Sequence, residues 1–390
     1  MISLEKAIEL ALEHAKNIQT EEIPFIEALY RILAEDVYSD IDIPPFNKSA
    51  MDGFALKKSE ANQPLTIVQT VQAGDVPIKQ LNQGECVKIM TGARLPDNAD
   101  YVAKIEDTEI NQYGKVLIKQ IENKPNIRFA AEDIRTGEVV LTKGTLIRPQ
   151  EIASLATVGK TTISVFKKPK IIVASTGNEL TEPFNLPNEV QIRNSNAYQI
   201  IAQCNQIGIK AEYAGIVEDT LESTLHHIQK MMDQCDIMIF SGGVSMGDFD
   251  FVPKALNQLG FYEIFHTIAV QPGKPTLMAQ KEHQYFFGLP GNPVSSFMQF
   301  ELIVKPFIYK LMGHEYHAKT AFLPLAIEYR RKKAERTSLI PVEIIENKVY
   351  PIEYHGSAHL FAMNSAQGFI AISQHTTIVS KDTYVTVRLL

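Results

Sequence analysis

A regular alternation of apolar strands and helices between residues 170 and 312 constrains the fold of this 390-residue chain more than any other feature. Short segments in which every residue is apolar are typical of strands buried on both faces of a sheet. Helices between such strands indicate a parallel sheet covered by helices on both sides. The predicted fold of this region is therefore a doubly wound parallel sheet. Strands are predicted at residues 171–174, 209–217, 236–240 and 285–289, and helices at 197–206, 221–232, after Pro253, and at 293–312.

The rest of the chain is predicted to be helical at its start and β-rich elsewhere. Apolar residues at helical spacing predict a helix over residues 3–16, and a second short helix is predicted over 26–33. Pro149 is expected to open another helix at its first turn. Short β-branched runs between turn residues indicate a small β-rich domain and a C-terminal all-β module. Their predicted strands are 65–71, 86–90, 101–104, 115–121, a pair around 139–147, 321–328, 342–345 and 383–389.

Composition and charge exclude several classes of protein. The 38 basic and 45 acidic side chains give a net charge of −7, which argues against binding to nucleic acid or to an anionic membrane surface. No run approaches the roughly 20 apolar residues that span a bilayer. Cys86, Cys204 and Cys235 are widely spaced, so neither a disulfide framework nor a thiolate zinc site is expected. We therefore expect a cytoplasmic protein without nucleic-acid or membrane partners.

Four loops follow the predicted parallel strands at their carboxyl ends, and ligands of open parallel sheets bind outside that edge. Glycines in two of the loops allow backbone N–H groups to turn inward as an anion-binding nest, and a helix N-terminus adds its positive dipole end. An ordinary turn explains each loop alone, but their convergence favours a site for an anionic ligand. The loops are residues 175–180, 218–220, 241–250 and 290–295.

Four carboxylates, Glu179, Asp219, Asp248 and Asp250, lie in or beside these loops. They would repel an anionic ligand unless a hard cation bridged them, and Mg²⁺ is commonly held by one or two carboxylates together with ligand phosphates. Capping of the following helix explains Asp219 as well as a site role does. For Glu179 and Asp250 a site role is the better explanation.

Two further motifs have competing explanations. Lys274, in the turn Gln271-Pro272-Gly273-Lys274-Pro275, could fix a positive charge for an oxyanion, although a lone loop lysine is usually just solvated. The segment 243–247 matches the G-x-S-x-G elbow of serine hydrolases around Ser245, but Asp248-Phe249-Asp250 intervenes before the helix and no HGGG loop is present. Neither a Walker loop nor a G-x-G-x-x-G motif after a strand is found.

Taken together, these motifs resemble the molybdopterin molybdenumtransferase family, which includes relatives of the gephyrin E domain. Their order and spacing agree along nearly the whole chain. The matching residues are Pro44-Pro45-Phe46, Ser49-Ala50-Met51-Asp52-Gly53, Met90-Thr91-Gly92-Ala93, Ser175-Thr176-Gly177 with Glu179-Leu180, Asn194-Ser195-Asn196, Ser241-Gly242-Gly243-Val244-Ser245 with Gly247 and Asp250, Pro272-Gly273-Lys274-Pro275, Gly288-Leu289-Pro290-Gly291-Asn292-Pro293-Val294-Ser295, and Gly356-Ser357 with Leu360.

The resemblance implies a multidomain α/β plus β fold and a homodimer whose subunits share each active site. The implied segments are 1–44 and 134–168 for a helical and extended linker or dimerisation domain, 45–133 for the small β-rich domain, 169–318 for the α/β domain that binds the pterin nucleotide, and 319–390 for a C-terminal β-barrel-like module. The implied reaction inserts molybdate into adenylylated molybdopterin with a divalent cation such as Mg²⁺, releasing AMP and forming molybdenum cofactor. A molybdopterin adenylyltransferase would act upstream and molybdoenzymes downstream.

Site residues also follow from the resemblance. Asp52, Thr91, Glu179, Asp219, Asp250 and Lys274 are the implied catalytic residues, with Glu179 and Asp250 holding the metal. Lys274, Ser295 and Ser357 would contact molybdate. The implied residues that bind the pterin nucleotide and the oxyanion are Ser175, Thr176, Gly177, Ser241, Gly242, Gly243, Ser245, Pro290, Gly291, Asn292, Pro293, Ser295 and Ser357.

The sequence departs from the family at three positions. Gln271 stands where many members carry a second basic residue, Pro341 where an arginine is expected, and Asn178 where an aspartate is common. Because the first two departures remove cations from the implied oxyanion site, an alternative function is a molybdopterin-binding or scaffold protein with impaired insertion. A serine hydrolase that uses Ser245 is the third hypothesis.

Overall fold

The computed structural model describes residues 1–245, 247, 250–353 and 359–390. The chain forms two compact units, each assembled from separate stretches of sequence: unit one comprises residues 1–34, 144–148 and 163–390, and unit two comprises residues 35–143 and 149–162. Across the described residues, every helix is too short or too polar to span a membrane. The five-segment division stays a prediction.

A six-stranded sheet lies at the centre of unit one. Four neighbouring strands are parallel, as predicted, but the expectation of a wholly parallel sheet is wrong at one edge, where two strands are antiparallel to their neighbours. The reason is the connection: only two residues separate Leu277–Lys281 from Gln284–Leu289, which permits a hairpin, whereas a parallel neighbour needs a crossover of a dozen or more residues. The spatial order is Glu212–Val217, Ile171–Thr176, Ile237–Ser241, Gln284–Leu289, Leu277–Lys281 and Tyr262–Phe265.

Both faces of this sheet are covered by helices. Ile171 and Val173 pack into one core cluster, whereas Ile172 and Ala174 pack into another on the opposite face, as the alternation of side chains along a strand requires. This arrangement confirms the doubly wound interpretation. The first cluster includes residues of Leu4–His14, Asn196–Gln206, Pro293–Gln299 and Lys305–Leu311, and the second includes residues of Leu221–Met232 and Val252–Gln258.

The single helix predicted over residues 293–312 is interrupted. A π-helical turn, Phe300–Val304, separates Pro293–Gln299 from Lys305–Leu311. Pro306 explains the interruption, because a proline inside a helix cannot donate its i−4 hydrogen bond and its ring crowds the carbonyl of residue i−4. The turn also buries Glu301, which pairs with Lys305 at 2.9 Å and accepts a hydrogen bond from Gln203 at 3.0 Å.

The short helix predicted over residues 26–33 is wrong. Only one 3-10 turn forms, at Phe25–Glu27. The backbone N–H groups of Tyr30 and Leu33 instead donate to the carbonyls of Ile147 and Thr145 at 2.8 and 2.9 Å. The strands predicted around 139–147 therefore find distant partners, since Val139–Leu141 pairs with Val37–Tyr38.

The remaining strands of unit one form a second six-stranded sheet and several short pairs. The strand predicted over 321–328 ends early at a proline, which lacks the N–H needed to continue a ladder. The second sheet contains Val270–Gln271, Thr337–Ile345, Gly368–Ile372, Tyr384–Leu389 and Thr320–Pro324, with Lys348–Pro351 beside Thr337–Ile345. The short pairs are Thr20–Pro24 with Thr162–Phe166, Leu180–Thr181 with Ile192–Arg193, and Tyr329–Arg330 with Ile378–Val379; a 3-10 helix covers Leu360–Asn364.

Unit two is β-rich, as predicted for residues 64–140. Its four-stranded sheet has the order Thr66–Val71, Glu85–Ile89, Gly53–Leu56 and Tyr101–Lys104. Pro149 opens the helix Pro149–Thr157. The smaller elements are Lys48–Ser49 with Ile127–Arg128, Thr108–Ile110 with Val116–Ile118, and the 3-10 turns Lys58–Glu60 and Ile105–Asp107.

Candidate functional site

A cavity of about 680 Å³ lies at the carboxyl ends of the parallel strands of unit one. The chain passes from strand Ile171–Thr176 to its neighbour on one side, Glu212–Val217, and then crosses to its neighbour on the other side, Ile237–Ser241. The direction of the connections therefore reverses at this strand. The crevice at such a switch point is where open α/β sheets bind ligands. All four predicted loops contribute to the lining.

The cavity brings together fourteen of the predicted site residues and leaves others outside its lining. Lys274 is exposed on its turn, although the next residue, Pro275, lines the cavity. Ser295 is buried in the first turn of Pro293–Gln299. Ser357 lies outside the described residues, and Asp52 and Thr91 belong to unit two. The fourteen are Ser175, Thr176, Gly177, Glu179, Asp219, Ser241, Gly242, Gly243, Ser245, Asp250, Pro290, Gly291, Asn292 and Pro293.

Two consecutive glycines and a threonine form one wall. Gly242 and Gly243 have φ values of +94° and +65°, which favour glycine. A Cβ atom on Gly242 would lie 2.6 Å from the carbonyl oxygen of Thr176, and one on Gly243 would lie 2.5 Å from its Oγ1. The backbone of these two glycines therefore borders the cavity directly, with no side chain in between. Thr176 Oγ1 is buried without a hydrogen-bond partner among the described residues, which leaves it available to a ligand.

Asn196 ties two of the loops together. Its Nδ2 donates to Ser241 Oγ and to the carbonyl oxygen of Gly291, at 2.7 Å each. Ser241 Oγ in turn donates to the carbonyl oxygen of Pro290 at 3.4 Å. The side chain is buried and fixes the loop after Gln284–Leu289 against the end of Ile237–Ser241. Asn196 stands in a matching motif, but sequence reasoning gave it no role.

A second chain of polar side chains leads from the cavity wall to a half-buried tyrosine. Ser175 Oγ donates to Asn194 Oδ1 at 3.0 Å, and Asn194 Nδ2 donates to the hydroxyl of Tyr213 at 2.8 Å. Tyr213 donates to Glu182 Oε1 at 2.7 Å. Burial raises the pKa of Tyr213, with the Glu182 hydrogen bond acting in the same direction, so the phenol stays neutral. Tyr213 and Glu182 could not be identified from the sequence, because no local pattern links residues this far apart along the chain.

Three carboxylates concentrate negative charge at the cavity. Burial raises the pKa of Asp219, and the charges of Glu179 and Asp250 raise it further, while a hydrogen bond from the Asn178 N–H at 3.1 Å opposes them. The helix-capping explanation of Asp219 is wrong, because the Thr220 side chain caps Leu221–Met232 by accepting from the N–H of Ser223. No group of three or more His, Cys, Asp or Glu among the described residues is arranged to hold a metal ion. A cation here would need ligand oxygens in addition to protein carboxylates.

The structure does not form a nucleophile elbow at Ser245. Ten residues separate the end of strand Ile237–Ser241 from the start of helix Val252–Gln258, whereas the elbow places serine on a sharp turn directly between the two. Ser245 is exposed, and no described histidine hydrogen-bonds to it; His266 contacts the carbonyl oxygen of Val244 instead.

In unit two, Asp52 and Thr91 are joined. Asp52 Oδ1 accepts hydrogen bonds from the backbone N–H and the Oγ1 of Thr91, both at 2.7 Å. These bonds, the backbone one first, lower the pKa of the Asp52 carboxyl. Two residues 39 positions apart in sequence therefore form one local structure with an ionised carboxylate.

Side-chain hydrogen bonds to backbone carbonyl oxygens stabilise the turn that carries Lys274. Gln299, fully buried at the end of Pro293–Gln299, donates from Nε2 to the carbonyl oxygen of Pro272 at 3.3 Å, and Thr276 Oγ1 donates to that of Gly273 at 2.8 Å. Arg336 donates to the Val270 carbonyl oxygen at 3.3 Å. Its Nη2 lies 3.4 Å from Oε1 of Gln271, the position at which the sequence departs from the family. Sequence reasoning missed both Gln299 and Arg336 as supports of this turn.

Three family descriptions match successive parts of the chain. They are the MoeA N-terminal region (domain I and II) over residues 2–159, a probable molybdopterin binding domain over residues 172–310, and the MoeA C-terminal region (domain IV) over residues 325–390. The cavity described above lies mainly within the second.

Curated relatives and solved structures agree with these matches. The chain is 35% identical to the molybdopterin molybdenumtransferase of Staphylococcus epidermidis over 319 residues, covering 80% of this chain and 76% of the relative. It is 35% identical to that of Bacillus subtilis over 318 residues, covering 79% and 74%. The molybdopterin biosynthesis MoeA protein of Pyrococcus horikoshii OT3 is a structural match with a TM-score of 0.86 at 27% identity, over 100% of both chains.

Proposed function

The chain belongs to the molybdopterin molybdenumtransferase family, and on that basis we propose that its cavity binds adenylylated molybdopterin and that it inserts molybdate into this substrate. The reaction releases AMP and forms molybdenum cofactor. The observation that carries the proposal is the convergence of four strand-end loops on one cavity with glycine-lined backbone and three carboxylates.

The chemistry of this cavity suits a phosphate-bearing ligand. Gly242 and Gly243 keep side chains out of one wall, so backbone groups can approach phosphate oxygens. Beside this wall, Pro293–Gln299 begins at the cavity and directs the positive end of its dipole there. Thr176 Oγ1 adds a hydrogen-bonding group without an internal partner.

A divalent cation fits the carboxylates. Glu179 and Asp250 would hold Mg²⁺ together with ligand phosphate oxygens, since Mg²⁺ rarely relies on protein ligands alone. The raised pKa of Asp219 is consistent with this role, because the charges of Glu179 and Asp250 add to the effect of burial there. The cation would neutralise the phosphates and stabilise the leaving AMP. Asp219 would hold the surrounding loop through its contact with Asn178.

Lys274, Ser295 and Ser357 are the proposed molybdate contacts. We propose that Arg336 supplies part of the positive charge that Gln271 and Pro341 do not provide, because its guanidinium reaches Gln271. With Arg336 in place of those cations, the oxyanion site can still bind molybdate. We therefore favour insertion over the scaffold alternative.

The proposal extends to the assembly and its surroundings. We propose a cytoplasmic homodimer that shares its active sites, with Asp52 and Thr91 contributing to catalysis from unit two. The segments 1–44 and 134–168 would serve dimerisation, and the segment 319–390 would form a barrel-like module. A molybdopterin adenylyltransferase would supply the substrate, and molybdoenzymes would receive the product.

An anaerobic assay with purified protein, adenylylated molybdopterin, molybdate and Mg²⁺ tests the insertion. We expect AMP release that requires molybdate, and a loss of at least tenfold in Asp250→Ala, Lys274→Met and Arg336→Met. Lys332→Met, at an exposed position of the same unit, is the matched control. Tight binding of the nucleotide by the wild type without AMP release would refute insertion and support the scaffold alternative.

A further inference from the structure

A second cavity, of about 710 Å³, lies in unit one at the other edge of the parallel sheet. Lys170, Asp236 and His283 line it, and each directly precedes one of the strands Ile171–Thr176, Ile237–Ser241 and Gln284–Leu289. The amino ends of these strands therefore face this cavity, whereas their carboxyl ends face the candidate active site. The two cavities share no lining residue.

Four lysines line this second cavity, against two aspartates. They are Lys16, Lys167, Lys168 and Lys170. Lys167 Nζ donates to Gln19 Oε1 at 3.2 Å. Among the described residues, the other three ammonium groups have neither an ion pair nor a hydrogen bond within the protein.

Of the three carboxylates near these lysines, two have hydrogen-bond or ion-pair partners and the third is exposed to solvent. Asp236 Oδ2 accepts from the backbone N–H of Lys170 at 2.7 Å, and Glu21 pairs with Arg31. Asp233 is exposed to solvent at the end of Leu221–Met232. The lining therefore has an excess of positive charge.

The carbonyl groups at nearby helix ends also have partners, so the lysines are not needed to cap them. His14 O accepts from the hydroxyl of Tyr285 at 3.0 Å, and Leu311 O accepts from the N–H of Ile18 at 2.9 Å. At the end of Leu221–Met232, Met231 O accepts from the N–H of Gln234 at 3.0 Å. Residual helix dipoles are worth only about 0.3–1 kcal/mol each and act over a single turn.

Lys168 is the most constrained of the four. It is only partly exposed, and burial followed by the nearby charge of Arg31 lowers its pKa, which the charge of Glu21 offsets only in part. A cation beside another cation in a partly desolvated place is unfavourable, and an anion bound between lysines removes that penalty. The position is therefore suited to a ligand that brings negative charge.

We propose that this cavity binds a small molecule carrying two or more phosphate groups. Ammonium groups are compact charges that bind phosphate, and the volume lies in the range of about 300–1,000 Å³ typical of small-molecule sites, well above what one phosphate needs. Asn17, Gln19 and Gln234, also in the lining, offer hydrogen bonds to a sugar or base. A nucleoside polyphosphate and an inorganic polyphosphate share the recognised chemistry.

Calorimetric titration of the full chain with tripolyphosphate, ATP and AMP tests the site. We expect tripolyphosphate and ATP to bind, with affinity reduced at least tenfold in Lys168→Met and in Lys170→Met and unchanged in Lys332→Met. Tighter binding of ATP than of tripolyphosphate would identify a nucleotide as the natural class, and the reverse an inorganic polyphosphate. Excess AMP, which should occupy the active-site cavity, should leave tripolyphosphate binding unaltered.

A second measurement keeps the test independent of any folding defect. Amine acetylation of the wild type, read by mass spectrometry, should modify Lys168 and be suppressed there by tripolyphosphate but not at Lys332. Absence of binding at millimolar concentration, or binding that neither variant weakens, would overturn the proposal. None of these outcomes depends on molybdenum insertion.

Discussion

The buried amide of Gln299 gives the sharpest prediction, because two substitutions of nearly equal size should have very different effects on stability. Its Nε2 donates one hydrogen bond of 3.3 Å to the carbonyl oxygen of Pro272. Its Oε1 is buried and has no partner among the described residues. The side chain also touches Gly273 closely enough that a Cβ there would lie 2.2 Å from Nε2, so it can hardly move away.

Gln299→Met removes both features at once. Losing Gln299 leaves the carbonyl oxygen of the buried Pro272 without this donor, which costs about 1–3 kcal/mol, whereas removing the unsatisfied Gln299 acceptor recovers a similar amount. We therefore expect the free energy of unfolding to change by less than about 2 kcal/mol in either direction. Gln299→Glu keeps the shape but places a carboxylate oxygen against the Pro272 carbonyl oxygen, in a site with no exposure to water. We expect that variant to be destabilised by about 3 kcal/mol or more.

Thermal unfolding and urea titration of the two variants measure this difference, with Gln206→Met, at an exposed site on the helix Asn196–Gln206, as control. In the insertion assay, Gln299→Met should raise the KM for molybdate while leaving the KM for the pterin nucleotide unchanged, because the turn of Lys274 loses its support. In a Lys274→Met background the same substitution should have no further effect on that KM. Equal stability of the Met and Glu variants would refute the reasoning.

Three further outcomes follow from the same contacts. Asp219→Asn should stabilise the free protein near neutral pH, since the raised pKa of Asp219 makes its ionised form unfavourable there; the gain should vanish as the pH falls below about 3.9, where the wild-type carboxyl is protonated in both states, and calorimetry across pH checks it. Asn196→Ala should lose about 1–3 kcal/mol of stability for its two hydrogen bonds and bind AMP more weakly, with exposed Asn205→Ala as control; unchanged affinity would contradict its role in fixing the loops. A thiol reagent should modify none of the cysteines in the native protein and all three after denaturation, because burial raises the pKa of each to about 12: Cys86, Cys204 and Cys235.

Local sequence patterns predicted the parts of the fold that local chemistry determines. The alternation of strands and helices from Ile171 onwards was predictable because strands buried on both faces need apolar residues at every position. Residues 26–33 have an acceptable helical pattern, but their N–H groups bond to a segment more than 100 residues away. The antiparallel edge of the sheet results from a two-residue connection between two strands. The apolar pattern of a strand does not show whether it pairs parallel or antiparallel with its neighbour.

The residues of the candidate site also fall into two groups, those marked by local sequence features and those that act through distant partners. Residues that are part of strand-end loops could be found from the sequence, because glycines, carboxylates and strand ends are local features. Asn196, Tyr213 and Gln299 act through partners 19 to 95 positions away, and only the folded chain brings them together. Asp219 shows the opposite error: a local rule offered capping, but the neighbouring Thr220 performs it.

The distribution of charge connects the two cavities. The sheet has carboxylates at the carboxyl edge, where burial and then the charges of Glu179 and Asp250 raise the pKa of Asp219. It has lysines at the amino edge, where burial and then the charge of Arg31 lower the pKa of Lys168. In both places the protein holds like charges close together, and only the amino edge has a partial counter-ion, Glu21 beside Arg31; a ligand of opposite charge would relieve both repulsions. The net charge of −7 therefore predicts neither site. Because screening by salt weakens both repulsions, added salt should stabilise the free protein, and Asp219→Asn and Lys168→Met should each reduce that dependence.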